Sequence, residues 1–246
     1  MIKVPIIMLH HVDDAPATGT EGWTISTKQF NVLLDCIQQL GLETTTFEEI
    51  VQQRWKLNQL NKKVILTFDD GAAKLFDFAV PLLIQKGMKA VFFIPTAQIG
   101  GYNEWDVTSA NAPKIDLMDA SQLRYLSEKG MEVGSHGHEH LYGHKITETQ
   151  FINELHTSKN ILENIIAKPV VSFCYPYGEV PENYRQLLQD AGYHYGTSIY
   201  QAFSNRYALR RIGIHAADSK KSITFKLSNR YAIYRSLIDK VLKMVK

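Results

Sequence analysis

Two adjacent carboxylates and a cluster of imidazoles stand where apolar runs of this chain stop. Asp69-Asp70-Gly71 closes the run Val64-Ile65-Leu66-Thr67-Phe68. Neighbouring carboxylates at the end of a buried strand repel one another and lose hydration unless a cation compensates. A helix N-cap is the plainer role for such an acid. Successive side chains of a strand point to opposite faces, so the chain must turn if both acids are to serve one site, and Gly71 lets it turn. Four of the nine histidines fall between His136 and His144. His136 and His140 are four apart, a spacing that brings two imidazoles onto one face of a helical turn. With one carboxylate they make the two-His-one-carboxylate set of a catalytic metal site, which leaves positions open for water and substrate. His138 and His144 compete as ligands, and a polar surface loop accounts for any one of these histidines taken singly.

Chemistry of this kind needs a scaffold that gathers strand ends. Apolar runs at Val4–Leu9, Val64–Phe68, Ala90–Ile94, Met131–Ser135, Val170–Tyr175, Tyr193–Thr197 and Ala208–Ile214 read as strands. Helical spacing is found over Phe30–Leu40, Ala79–Lys86, Ala120–Lys129, Glu148–Ile166, Glu182–Asp190 and Arg230–Val245, and Ile99–Asp116 reads as a loop. Strands alternating with helices predict parallel pairing through helical crossovers, an α/β protein of about seven strands. The runs are apolar throughout, as strands covered on both faces should be. A (β/α) barrel and an open doubly wound sheet both fit that pattern. No glycine-rich phosphate loop follows any strand, which weakens the open-sheet nucleotide folds. His10 and His11 end the first strand, Asp69 and Asp70 the second, Ser135–His140 follow the fourth, and Pro176-Tyr177-Gly178 follow the fifth. Catalytic groups of (β/α) barrels sit at the carboxyl ends of strands, so the recurrence is a positional signal.

Composition narrows the rest. The chain has 246 residues and a formal net charge of +2, from 27 basic and 25 acidic side chains, so nothing marks a nucleic-acid binder. Cys36 and Cys174 are too few for a disulfide framework and read as reduced thiols. The first eleven residues hold one lysine, a short apolar run and two histidines, and no small-residue cleavage site. The sequence as written is therefore expected to be cytoplasmic or membrane-peripheral, and extracytoplasmic only if a leader has been removed from it. Residues 1–219 are expected to form the catalytic unit. Residues 220–246 are expected to form a basic amphipathic helix, packed on it or resting weakly on an anionic membrane surface.

Thr67-Phe68-Asp69-Asp70-Gly71, the His136…His140 pair and Tyr175-Pro176-Tyr177-Gly178, in this order, resemble the polysaccharide deacetylases of carbohydrate esterase family 4 (the NodB-homology domain). The proline-led first strand ending at His10 is similar to the branch that deacetylates poly-N-acetylglucosamine. The resemblance implies a distorted (β/α) barrel of about seven strands acting on the N-acetyl amide of a saccharide. It makes Asp69 the general base and makes Asp70, His136 and His140 the ligands of one divalent ion. Zinc is the first choice for that ion, and nickel, cobalt and iron suit the same donors. The resemblance further implies that the backbone N–H of Tyr177 helps hold the oxyanion. It also makes His10 the proton donor to the leaving amine, with His215 as the rival in the more usual chain position.

Two departures stand out. Cys174 occupies the place where many members carry an arginine that partners the catalytic Asp, and Arg211 is the candidate replacement. Gly137 stands between the histidines where Ser or Thr is common, which removes a supporting hydrogen bond and not a ligand. The main expectation is a metal-dependent N-deacetylase. A saccharide-binding homologue with little turnover, and a deacylase or deformylase of a lipid-linked sugar, are the alternatives.

Overall fold

The computed structural model describes residues 4–110, 112–199, 205–231, 233–235 and 238. In chain order the strands are β1 (Ile6–Leu9), β2 (His11–Val12), β3 (Thr24–Ile25), β4 (Glu43–Thr44), β5 (Lys63–Phe68), β6 (Val91–Ile94) and β7 (Glu132–Ser135). They continue with β8 (Ser172–Cys174), β9 (Tyr195–Ser198), β10 (Leu209–Arg210) and β11 (Ile212–Gly213). The helices are α1 (Thr27–Gln39), α2 (Phe47–Gln52), α3 (Ala79–Gln85), α4 (Glu104–Ala110), α5 (Ala120–Glu128), α6 (Glu148–Ile166), α7 (Tyr184–Asp190) and α8 (Lys220–Lys226).

The main sheet runs β10-β9-β8-β7-β6-β5-β1-β11, and its pairings are parallel. Its first and last members belong to one stretch of chain. Leu209 pairs with Thr197 of β9, and Ile212 pairs with Ile7 of β1, so the segment from 209 to 213 reaches both edges and draws the sheet into a nearly closed barrel. What the spacing over Ala208–Ile214 predicts as one strand is therefore two, parted at Arg211, whose N–H donates to the Ser198 carbonyl. Counting that segment once leaves the seven strands expected, and the barrel replaces the open sheet.

Strand side chains alternate between two cores. Ile6, Ile65, Val91, Phe93, Cys174 and Leu209 share one cluster with Phe47 and Ile50 of α2. Ile7, Leu9, Leu66, Phe68, Phe92 and Ile94 join the surrounding helices in the other. The helices form where caps and apolar stripes coincide. Ser26 caps α1, which buries Phe30, Leu33, Leu34, Cys36 and Ile37. Capping boxes start α5 at Asp119 and α6 at Thr147, each satisfying two orphan amides.

The loop expected over Ile99–Asp116 contains α4, whose short span is masked by the Gly, Asn and Pro around it. α8 packs beside α1 and buries Ile223 and Leu227. The helix expected over Arg230–Val245 lies for the most part outside the described residues. Among the described residues no helix is long and apolar enough to cross a membrane. Both cysteines are free and buried.

Candidate active site

Alternation along the strands carries polar side chains into the barrel mouth. Ile65, Thr67 and Asp69 fall on one face of β5 and its continuation, the face whose Ile65 belongs to the interior cluster. The same period runs from Ile6 through Met8 to His10, and from Leu209 to Arg211. Four elements thus deliver Asp69, His10, Cys174 and Arg211 to one rim.

Asp69 is almost completely buried, and its carboxylate is gripped by both arms of a guanidinium. Arg211 Nη1 donates to Oδ1 and Nη2 to Oδ2, each at 2.6 Å, and Nη1 also reaches Thr67 Oγ1 at 3.0 Å. Arg211 is 4% exposed, so it is no surface charge. Cys174 Sγ lies 3.8 Å from each Asp69 oxygen. Arg211 brings the guanidinium to Asp69 from the barrel-closing segment. Burial alone would raise the Asp69 carboxyl, but the Arg211 charge and hydrogen bonds outweigh it and hold the pKa below the ordinary carboxylate value.

Asp70 leaves the strand by a left-handed turn. Its φ is +67° and that of Gly71 is +68°, so the turn begins one residue before the glycine expected to make it. The reversal directs Asp70 to the histidine loop, where its Oδ1 lies 3.4 Å from Nε2 of His136 and 3.4 Å from Nε2 of His140. His140, at +56°, and Tyr177, at +57°, are also left-handed. Non-glycine residues there cost about 1–2 kcal/mol each, and three of the seven such residues described stand around this one cluster.

The three donor atoms suit a divalent ion. Two ligand atoms about 2.1 Å from a tetrahedral centre are about 3.4 Å apart, which is the separation of Asp70 from each imidazole. His136 Nδ1 donates to the Cys174 carbonyl at 2.8 Å, which holds the ring with Nε2 turned toward Asp70. Burial would raise the Asp70 carboxyl too, but contacts with His136 and His140 pull it well below the usual range. His138 turns away to Thr96, with Nδ1 and Oγ1 2.9 Å apart, and exposed His144 pairs with Glu179. Neither joins the ligand set.

His10 is partly buried, with Nε2 3.8 Å from Asp69 Oδ2. Burial pulls its pKa below the ordinary value, against the opposite pull of Asp69 and Asp70. His215 is exposed, its N–H donates to Asp218, and its ring lies back over Gly213. It is not drawn into the carboxylate cluster. Tyr177 sits in a 3-10 turn, Pro176–Gly178, directly after the strand that carries Cys174.

Aromatic side chains that carry no sequence signal line the same mouth. Trp23, 48% exposed, packs against His10 with ring centres 4.8 Å apart. Trp105 of α4 stacks on His140 at 4.5 Å, and Tyr142 stacks on Tyr177 at 3.5 Å. All three lie outside the strand-end motifs, where neither periodicity nor ligand chemistry singles them out.

Comparison with known proteins agrees with this architecture. Residues 56–196 match the profile of the Polysaccharide deacetylase family. A poly-beta-1,6-N-acetyl-D-glucosamine N-deacetylase of Staphylococcus aureus (strain MSSA476) is 23% identical over 205 residues, which cover 78% of this chain and 68% of that protein. The Streptococcus pyogenes deacetylase PplD, solved in complex with acetate, is 20% identical with a TM-score of 0.77, covering 92% of this chain and 99% of its own. IcaB from Ammonifex degensii gives a TM-score of 0.74 at 20% identity, covering 92% and 97%. At such identities the solved structures speak for the fold. The family profile spans more than half of the chain, and the chain belongs to the polysaccharide deacetylase family.

Proposed function

We propose that this chain is a metal-dependent N-deacetylase that hydrolyses the N-acetyl amide of an amino sugar within a polysaccharide or glycan precursor. One observation carries the reading. A carboxylate and two imidazoles converge at ligand spacing, immediately beside a second, buried carboxylate that a guanidinium keeps ionised. Asp70, His136 and His140 would hold the divalent ion, zinc first among the metals that suit such donors. When bound, the ion supplies a Lewis acid that polarises the amide carbonyl and lowers the pKa of water.

The protein's own groups do the rest. Asp69, ionised at neutral pH, takes the proton of the attacking water as general base. Arg211 holds both oxygens of that carboxylate in one plane and fixes the direction in which it accepts. His10, beside Asp69 on the same rim, gives a proton to the departing amine nitrogen. The backbone N–H of Tyr177 donates to the oxygen of the tetrahedral intermediate, and such a donor is worth about 3 kcal/mol in related hydrolyses. Trp23, half exposed, offers a flat apolar face at the mouth, suited to the face of a sugar ring.

Cys174, in the place where the resemblance expects an arginine, is what favours a saccharide binder without turnover. The Arg211–Asp69 pair removes that motive. Basic residues near the C-terminus favour the lipid-linked-sugar alternative; Lys220, Lys221 and Lys226 among them belong to α8, which packs beside α1.

The Staphylococcus aureus relative acts, by its name, on poly-β-1,6-N-acetyl-D-glucosamine, so oligomers of that polymer are the first substrate to try. Zinc-loaded protein is expected to release acetate from them. Asp69→Asn is expected to abolish release while zinc stays bound. Undiminished release by that variant would remove Asp69 from the mechanism. Saturable glycan binding without acetate would favour the binding-only reading.

A further inference from the structure

The two imidazoles of the candidate metal set are held in different ways. His136 is tethered through its second nitrogen to the Cys174 carbonyl. His140 has no such tether: its Nδ1 is buried and, among the described residues, has no hydrogen-bond partner. A metal-ligating imidazole ordinarily uses that nitrogen to fix its tautomer and the plane of its ring. What His140 touches is aromatic. Trp105 lies over one face at 4.5 Å with 27° between the planes, and Tyr177 meets the ring edge-on at 4.7 Å.

The backbone of the same loop is gripped from behind. Glu154 of α6 is only 5% exposed, and its carboxylate accepts the N–H of His138 at 2.7 Å and that of Glu139 at 3.0 Å. Gly137 makes room for it. A Cβ at that position would lie 2.9 Å from Glu154 Oε2, and the glycine has a φ of +79°. A side chain at 137 and the Glu154 carboxylate compete for the same space. The absence of a hydroxyl residue between the histidines and the presence of a buried carboxylate on α6 are therefore one structural choice.

We propose that Glu154 and Trp105 are positioning residues for His140: Glu154 sets the backbone from Gly137 to His140, and Trp105 sets the plane of a ring whose Nδ1 no hydrogen bond orients. Neither reaches the reacting atoms. The proposal rests on the metal-site reading above, and its test separates the two.

Zinc affinity of the full chain is measured by competition with a chromophoric chelator, alongside thermal unfolding of the metal-free protein. Loss of an outer-shell partner of a metal ligand typically lowers affinity about 10–100-fold. Trp105→Ala is expected to fall in that range with the metal-free melting curve nearly unmoved, and Trp105→Phe, which restores a ring, to recover most of the loss. Glu154→Gln offers one acceptor oxygen to two N–H groups and is expected to weaken zinc as well.

Wild-type affinity in Trp105→Ala overturns the role of Trp105, and wild-type affinity in Glu154→Gln overturns that of Glu154. Loss of affinity matched by equal loss of metal-free stability makes either residue merely structural and also overturns its role. If Glu154→Gln does not fold, the Trp105 pair decides. A wild-type chain that takes up no zinc, cobalt or nickel refutes the metal-site reading itself, a result distinct from any variant's.

Discussion

Replacing Arg211 by methionine tests the electrostatic arrangement at its most exposed point. The guanidinium and the Asp69 carboxylate make two 2.6 Å contacts, with side chains only 1% and 2% exposed. Removing one partner leaves an uncompensated buried charge, a change that costs about 3–5 kcal/mol. In the wild type the depressed Asp69 pKa contributes stability that is present above the unfolded value and is lost as pH falls through the folded one.

In Arg211→Met burial acts on the carboxylate unopposed by the guanidinium, and the Asp69 pKa is expected to rise. Each ~1.4 kcal/mol withdrawn from the ionised form alone moves the titration up by one pH unit. The acidic limb of the acetate-release profile is therefore expected to shift to higher pH. The urea midpoint at neutral pH is expected to fall by the equivalent of about 3–5 kcal/mol, with a smaller loss below the new pKa. Arg211→Lys keeps the charge without the planar fork and should lie between. An acidic limb that stays in place while the variant remains folded would refute the claim that Arg211 keeps Asp69 ionised.

Two further outcomes follow from other parts of the structure. Glu132 is the first residue of β7, 2% exposed, bonded by the Ser172 hydroxyl and the Glu48 N–H, and burial pushes its pKa from 4.5 up to about 7. The native state thus binds this proton more tightly than the unfolded chain. The contribution is full below the unfolded value and is lost as pH rises through the folded one, about 3 kcal/mol in all. Urea titrations of Glu132→Gln should lack that decline between mildly acidic and neutral pH, and an unchanged slope would show that Glu132 is not its source. His10→Asn is expected to lower kcat for acetate release about 100-fold or more, while exposed His215→Asn is expected to change it less than about threefold; the reverse order would transfer the proton-donor role to His215.

Much of the site was legible because it obeys short-range rules. The period of two along Ile65, Thr67 and Asp69 sends the Asp69 carboxylate inward, and the same period brings His10 to the same rim. The His136…His140 spacing, however, is realised in a loop whose second histidine is left-handed, not on a helical turn. What stayed hidden depends on contacts distant in sequence. Nothing local shows that the stretch from Leu209 to Gly213 divides between β9 and β1. Yet that division closes the barrel and carries Arg211 to Asp69, 142 residues away. Glycine is the usual left-handed residue, so the sequence points to Gly71 for a turn that Asp70 begins. A helix of seven residues among Gly, Asn and Pro offers no period to read, so nothing local marks Trp105. Glu154 falls on the buried side of an otherwise regular helix, and only the fold brings its carboxylate to the histidine loop.

The central claim is that Asp70, His136 and His140 hold one divalent cation. Crystals of the full chain grown with zinc, with anomalous data collected on either side of the zinc edge, test it most directly. The account predicts a single strong peak about 2.0–2.2 Å from Asp70 Oδ1 and from the Nε2 atoms of both histidines. A peak seated on other residues, or no peak at this rim in protein that releases acetate, would contradict it.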